Sequence, residues 1–156
     1  MKRRDVLSFA LKSAGAVVGI TLAVPLGIFA LTPVLSGDEG PNWQPLGEAG
    51  SFARGRIVAT TLTLDEGAGR LKKVGVFVWR QSEEDFVIYS RSCTDLGCPL
   101  VFDEGSEWFF CPCHGGIFDK QGQRRAGPPK MPMWRYNFRI HNGVVEVDTR
   151  SVPPMV

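Results

Sequence analysis

At 156 residues and 44% hydrophobic composition, the chain is long enough for one globular domain with an accessory segment and too short for two full domains. Its formal charge is +2, yet residues 1–12 hold Lys2, Arg3, Arg4 and Lys12 against Asp5, a local +3 that leaves −1 for the remainder. A near-neutral body lacks the clustered basic face that nucleic-acid binding needs, whereas a basic tip suits a membrane protein with a cytoplasmic N-terminus.

Residues 1–12 form the basic head, and no charged residue occurs from Ser13 to Gly37. The apolar centre, Ala16 to Leu31, continues to about residue 35, which meets the roughly 20 residues a helix needs to cross a bilayer core. Pro25 and the glycines would weaken a soluble helix but are common in transmembrane ones. The segment over 13–35 therefore reads as a retained single-pass anchor. A cleaved secretory signal shares the basic start and apolar run, but no clear A-x-A site follows. Lys2-Arg3-Arg4-Asp5-Val6-Leu7 also resembles a twin-arginine export signal, which exports folded, cofactor-loaded domains. Either route leaves the body beyond the anchor on the extracytoplasmic side.

Ser36-Gly37-Asp38-Glu39-Gly40-Pro41-Asn42 has linker composition, so the expected flexible linker is 36–42 and the folded domain 43–156. Within that domain, Arg56 to Leu64, Val74 to Trp79 and Phe86 to Ser90 are β-branched and aromatic runs bounded by turn residues, the pattern of strands. Trp108-Phe109-Phe110 makes a further short strand. Tyr136 to Ile140 alternates, Asn142-Gly143 supplies a two-residue turn, and Val144 to Val147 returns. No amphipathic helix interrupts the series, so the expected fold is mainly β: an antiparallel domain behind one transmembrane helix. Trp79, Trp108, Phe109 and Phe110 are expected in the core. His141, beside the turn, is expected at the surface, and the pairs Glu83-Glu84 and Asp103-Glu104 read as solvated turns rather than acid-base machinery.

The chemistry is concentrated in Cys93-Thr94-Asp95-Leu96-Gly97-Cys98 and Cys111-Pro112-Cys113-His114-Gly115-Gly116, which contain all four cysteines. Soft sulfur ligands beside a histidine, on glycine- and proline-rich loops, are what an iron-sulfur or zinc site requires. An extracytoplasmic setting also permits disulfides, so two cysteines can bind metal while two tie the boxes together. Zinc held by all four cysteines, or by three with His114, is the alternative metal reading.

The boxes resemble those of Rieske proteins, C-T-H-x-G-C followed by C-P-C-H-G-S, and Gly127-Pro128-Pro129 matches that family's proline loop. The resemblance implies a Rieske β domain with a small cluster-binding subdomain over about 91–127. It implies that Cys93 and Cys111 bind one iron of a 2Fe-2S cluster, that His114 binds the other, and that Cys98 and Cys113 form a disulfide. It further implies the electron-transfer subunit of a quinol:cytochrome c or plastocyanin-type oxidoreductase in a bacterial cell membrane. His114 would hydrogen-bond the quinol and accept its proton. A cytochrome b-type subunit would contact the exposed tip around Leu96, and cytochrome c or a similar protein would take the electron.

Three positions depart from the pattern. Asp95 stands where the family has its second histidine ligand. It can bind iron through a carboxylate oxygen, leave the position to water or another group, or mark a cluster-free, disulfide-stapled structural subunit. Gly116 and Phe118 stand where many high-potential members carry a serine and a tyrosine whose hydroxyls bond cluster sulfur and a ligand cysteine. Without those bonds a reduced cluster is less stable, which points to the low end of the Rieske range of about −150 to +300 mV and to menaquinol as donor. The small Rieske subunit of an arsenite-oxidase-like enzyme shares the boxes and twin-arginine export, and is the remaining alternative.

Overall fold

The computed structural model describes residues 3–35, 40–65 and 71–153. Most of the expected linker, residues 36–39, lies outside them. The chain divides into two units, residues 1–40 and 41–156.

The first unit is a single helix, α1 (Arg3–Leu35), long and apolar enough to cross a membrane. Its large apolar side chains, from Val6 and Leu7 to Phe29 and Leu31, stand exposed, and nothing in a water-soluble fold would leave so many uncovered. Ser13, Thr21 and Thr32 donate their hydroxyls to the carbonyls of Phe9, Val17 and Ile28 one turn back, so these polar groups are satisfied within the helix, as a lipid surrounding demands. Pro25 lies within the helix without ending it.

The second unit is antiparallel β structure, as the sequence pattern predicts. Its strands are β1 (Trp43–Glu48), β2 (Ile57–Asp65), β3 (Leu71–Arg80), β4 (Phe86–Ser90), β5 (Val101–Asp103), β6 (Trp108–Cys111), β7 (Gly116–Phe118), β8 (Arg124–Ala126), β9 (Arg135–His141) and β10 (Val144–Asp148). Six of them form one sheet in the order β1-β10-β9-β4-β3-β2, and β5-β6-β7-β8 form a second sheet of four. Asn142 and Gly143, at φ 51° and 78°, make the tight turn between β9 and β10 that their identities predict. Asn42 is already tied to the domain, its N–H donating to the Asp148 carboxylate and its carbonyl accepting from Thr149.

Period-two alternation distributes the side chains between two cores. Val76 and Val78 of β3, Phe86 and Ile88 of β4, and Val145 and Val147 of β10 fill the first with Leu62. The intervening Phe77, Val87 and Tyr89 point the other way, into a second core with Leu100, Phe109, Phe118, Met133, Cys93 and Cys111. All five residues of β4 are therefore buried, which explains why Phe86 to Ser90 reads as a continuous apolar run rather than an alternating one. Phe109 joins the two sheets: its ring packs on Phe77, Tyr89 and Phe102 at centroid distances of 5.0, 5.7 and 4.8 Å.

The structure corrects the expected core at Trp108, which is 39% exposed while Phe109 is fully buried. Adjacent residues of a strand face opposite ways, so the three aromatics of β6 cannot all enter one core. Strands β1, β5, β7 and β8 have no counterpart among the sequence-predicted strands. Three of them are three residues long, and Arg124-Arg125-Ala126 is wholly exposed with two charged residues in three, so neither length nor pattern announces a strand.

Candidate metal centre

Both cysteine boxes are loop tips of the smaller sheet and its approach from β4. Ser92 pairs with Pro99 in an isolated antiparallel bridge, and Leu100 N–H donates to the Arg91 carbonyl, so residues 93–98 form a closed loop. In the second box, Cys111 ends β6 and pairs directly with Gly116, the first residue of β7, which makes Pro112 to Gly115 the tip of a hairpin. The two tips are built alike. Gly97 N–H donates to the Cys93 carbonyl at 3.0 Å and Gly115 N–H to the Cys111 carbonyl at 3.0 Å. The donating residue sits at φ 73° in one loop and 71° in the other, the left-handed region that glycine enters without strain.

This shared turn gives the cysteines opposite fates. Cys93 and Cys111 lie where each turn leaves the sheet, are buried in the second core, and keep free thiols. Cys98 and Cys113, farther out, are joined as a disulfide across the tips. The sulfurs of Cys98, Cys111 and Cys113 lie within 4.8 Å of one another, but the disulfide occupies two of the three. A zinc site using all four cysteines therefore has only two thiols to draw on in this structure.

Burial pushes the Cys93 thiol up to about 11; a hydrogen bond from the Asp95 backbone opposes the rise, and the neighbouring Cys111 sulfur adds to it. A buried thiol that resists ionisation, as Cys93 does, is a poor nucleophile on its own. A bound cation reverses the balance, because metal coordination removes the thiol proton outright. Toward solvent, the His114 imidazole presents Nδ1 to the Asp95 carboxylate, Nδ1 to Oδ2 at 3.4 Å, with the two side chains 46% and 28% exposed. The chain thus offers two buried sulfur donors and, farther out, one nitrogen and one oxygen donor. That set fits a binuclear iron-sulfur group whose inner iron takes thiolates and whose outer iron takes harder donors, with a carboxylate in place of one imidazole.

A third loop covers the pair. Pro129 is fully buried, Gly127 passes against the backbone of Gly115 and Gly116, and Thr94 Oγ1 donates to the Met131 carbonyl at 3.0 Å. Met133, a few residues beyond this loop, is buried in the second core. Leu96 is 72% exposed at the first tip and Met131 44% exposed beside it. His141 lies at the end of β9, facing Glu146 across the hairpin, and belongs to no metal-ligand group among the described residues. The Thr94–Met131 tether had no signal in the sequence, since neither residue type specifies a partner so far along the chain.

The sequence is similar to those of known proteins. The Rieske [2Fe-2S] domain pattern matches residues 42–145. The menaquinol:cytochrome c reductase iron-sulfur subunit of Geobacillus thermodenitrificans is 25% identical over 147 residues, covering 90% of this chain and 87% of that protein. The subunit of the same name from Bacillus subtilis (strain 168) is 27% identical over 158 aligned positions, covering 92% and 89%. The cytochrome b6-f complex iron-sulfur subunit of Gloeobacter violaceus is 31% identical over 143 residues, covering 85% and 75%.

Proposed function

The chain belongs to the Rieske family, and from that premise we propose that it is the membrane-anchored electron-transfer subunit of a quinol oxidoreductase. The observation that carries this reading is the pair of buried free thiols, Cys93 and Cys111, set beside an exposed imidazole at disulfide-stapled tips, in a chain with an apolar spanning helix. Relatives of nearly full length are named as menaquinol:cytochrome c reductase subunits. In our reading the donor is a quinol of that low-potential type, and the acceptor is a cytochrome c heme or its equivalent.

Cys93, Cys111 and His114 would hold a 2Fe-2S cluster, which would supply one-electron transfer. The protein's own residues do the rest. With Nδ1 of His114 turned to the Asp95 carboxylate, Nε2 is the nitrogen left to accept a hydrogen bond, and then a proton, from a quinol hydroxyl. Cys98–Cys113 keeps the two tips together where little core supports them. Burial of Cys93 and Cys111 excludes water from the sulfur end. Phe118 is fully buried and Gly116 has no side chain, so neither donates a hydroxyl to sulfur, which favours the low-potential end of the family. Leu96 and Met131 form the apolar rim that meets the cytochrome b-type subunit.

In this reading the N-terminus with its basic head lies in the cytoplasm and the domain on the extracytoplasmic side, where a disulfide persists. Lys2-Arg3-Arg4 is the export determinant in this reading. The decisive experiment is iron and acid-labile sulfide analysis of the purified full chain, with its EPR spectrum before and after quinol addition. A Rieske-type signal that appears on reduction by menaquinol supports the assignment. Absence of iron would replace it with a cluster-free structural subunit, and copurification with a molybdenum subunit would replace it with the arsenite-oxidase-like role.

A further inference from the structure

We propose that the Asp95 carboxylate is the fourth protein ligand of the centre, so that the outer metal ion is held by one imidazole nitrogen and one carboxylate oxygen. The inference deepens the cluster-binding reading above and rests on it. Two features of the chain carry it.

The first is reach. From either backbone, the atom facing the other residue lies the same number of bonds out: Cα–Cβ–Cγ–Oδ2 in Asp95, Cα–Cβ–Cγ–Nδ1 in His114. An aspartate oxygen can therefore occupy the place of a histidine Nδ1 without moving the loop, whereas glutamate would carry its oxygen one bond too far.

The second is separation. A tetrahedral first-row metal ion with nitrogen and oxygen donors at about 2.0–2.2 Å holds them roughly 3.4 Å apart, and Asp95 Oδ2 stands 3.4 Å from His114 Nδ1. The Asp95 backbone also bonds the Cys93 sulfur, so the residue that presents the oxygen is anchored to the opposite end of the donor set. The disulfide Cys98–Cys113 limits how far the two tips, and hence these two donors, can separate. An anionic ligand in place of a neutral one stabilises the oxidised cluster relative to the reduced one, which deepens the low-potential character given by Gly116 and Phe118.

The test compares the full chain, purified in detergent without oxygen after growth on 15N-histidine, with Asp95→Asn, Asp95→Glu and Asp95→His. Readouts are iron and sulfide content, retention of iron under a chelator, the midpoint potential, and pulsed EPR of the reduced cluster, which counts coupled histidine nitrogens. Expected are about two irons per chain and one coupled histidine nitrogen in the wild type. Asp95→Asn and Asp95→Glu should each lose iron to the chelator some 10- to 100-fold more readily. Asp95→His should show two coupled nitrogens and a higher potential. Full iron with an unchanged spectrum and potential in Asp95→Asn would overturn the proposal while leaving the electron-transfer reading intact, since Asp95 would then merely pair with His114. Iron in Asp95→His but none in the wild type would overturn both.

Discussion

The backbone of Gly127 lies directly on that of Gly115: a Cβ at position 127 would stand 2.4 Å from the Gly115 carbonyl oxygen and 2.7 Å from the Gly116 Cα. The obstructing atoms are main chain, so no rotamer change relieves the contact, and Gly127 also sits at φ 87°. Gly127→Ala should therefore lift the proline loop off the second tip and cost about 2–4 kcal/mol. Gly55→Ala isolates the backbone part of that cost, because Gly55 shares the left-handed conformation (φ 73°) but has nothing within 4 Å of its would-be Cβ. Denaturation of both variants, with iron content, is the measurement. Equal losses in the two would show that the close approach contributes nothing.

At Gly116 the obstacle is a side chain. Its added Cβ would meet Pro129 Cγ at 2.8 Å, Pro129 Cδ at 3.1 Å and Cys111 Cβ at 3.2 Å, and Pro129 is fully buried with a rigid ring. Gly116→Ser, which introduces the residue common in high-potential relatives of the Rieske pattern, is expected to destabilise by about 1–3 kcal/mol. In a Pro129→Ala background the same change should cost less, because two of the three obstructing atoms are gone. A double-mutant cycle with no coupling between the positions would contradict this contact.

Replacing Cys98 and Cys113 together by serine removes a crosslink of sequence separation 15, worth up to about 3 kcal/mol. The loss should fall unevenly. Iron release from the tips should accelerate more than global unfolding, since the base sheet keeps its own core. Chelator-driven iron release measured beside thermal unfolding checks the difference.

Burial pushes the Tyr89 phenol up to about 12, with Arg135 lowering it and Asp119 raising it. Because the folded value lies above the unfolded value near 10, the associated stability is fully present below pH 10 and is lost as pH rises toward 12. The effect is on the order of 2 kcal/mol, and Tyr136, also raised by burial, acts in the same direction. Tyr89→Phe should flatten the alkaline fall in melting temperature between pH 10 and 12. An identical slope in both proteins would remove Tyr89 from the explanation.

In the membrane unit, Ile20 is 62% exposed near the middle of an apolar helix. Ile20→Arg places a charge there at a cost of about 2.5–3.5 kcal/mol. The fraction of chain resisting alkaline carbonate extraction should drop, and unchanged extraction would argue against a spanning helix.

Much of this protein is local and therefore legible along the chain. The apolar stretch, the β-branched runs of β2 to β4 and the Asn142-Gly143 turn each express a backbone preference or a period over a few residues. The two cysteine boxes resemble the Rieske pattern on residues adjacent in the chain, each box contained within a single tight turn. The three-residue strands β5, β7 and β8 escaped because so short a run carries no period; the outward face of Trp108 escaped because only pairing with a neighbour fixes which way the side chains of a short strand point.

Relations between distant segments belong to the tertiary structure. It is the docking of one hairpin tip on another that leaves Cys93 and Cys111 free and buried while Cys98 and Cys113 bond, and that brings Gly127 onto Gly115. The aspartate in the first box was visible in the sequence as a departure, but a departure has no chemistry until its partner is known. Folding supplied that partner by setting Asp95 Oδ2 against His114 Nδ1, 19 positions along the chain and 3.4 Å away in space.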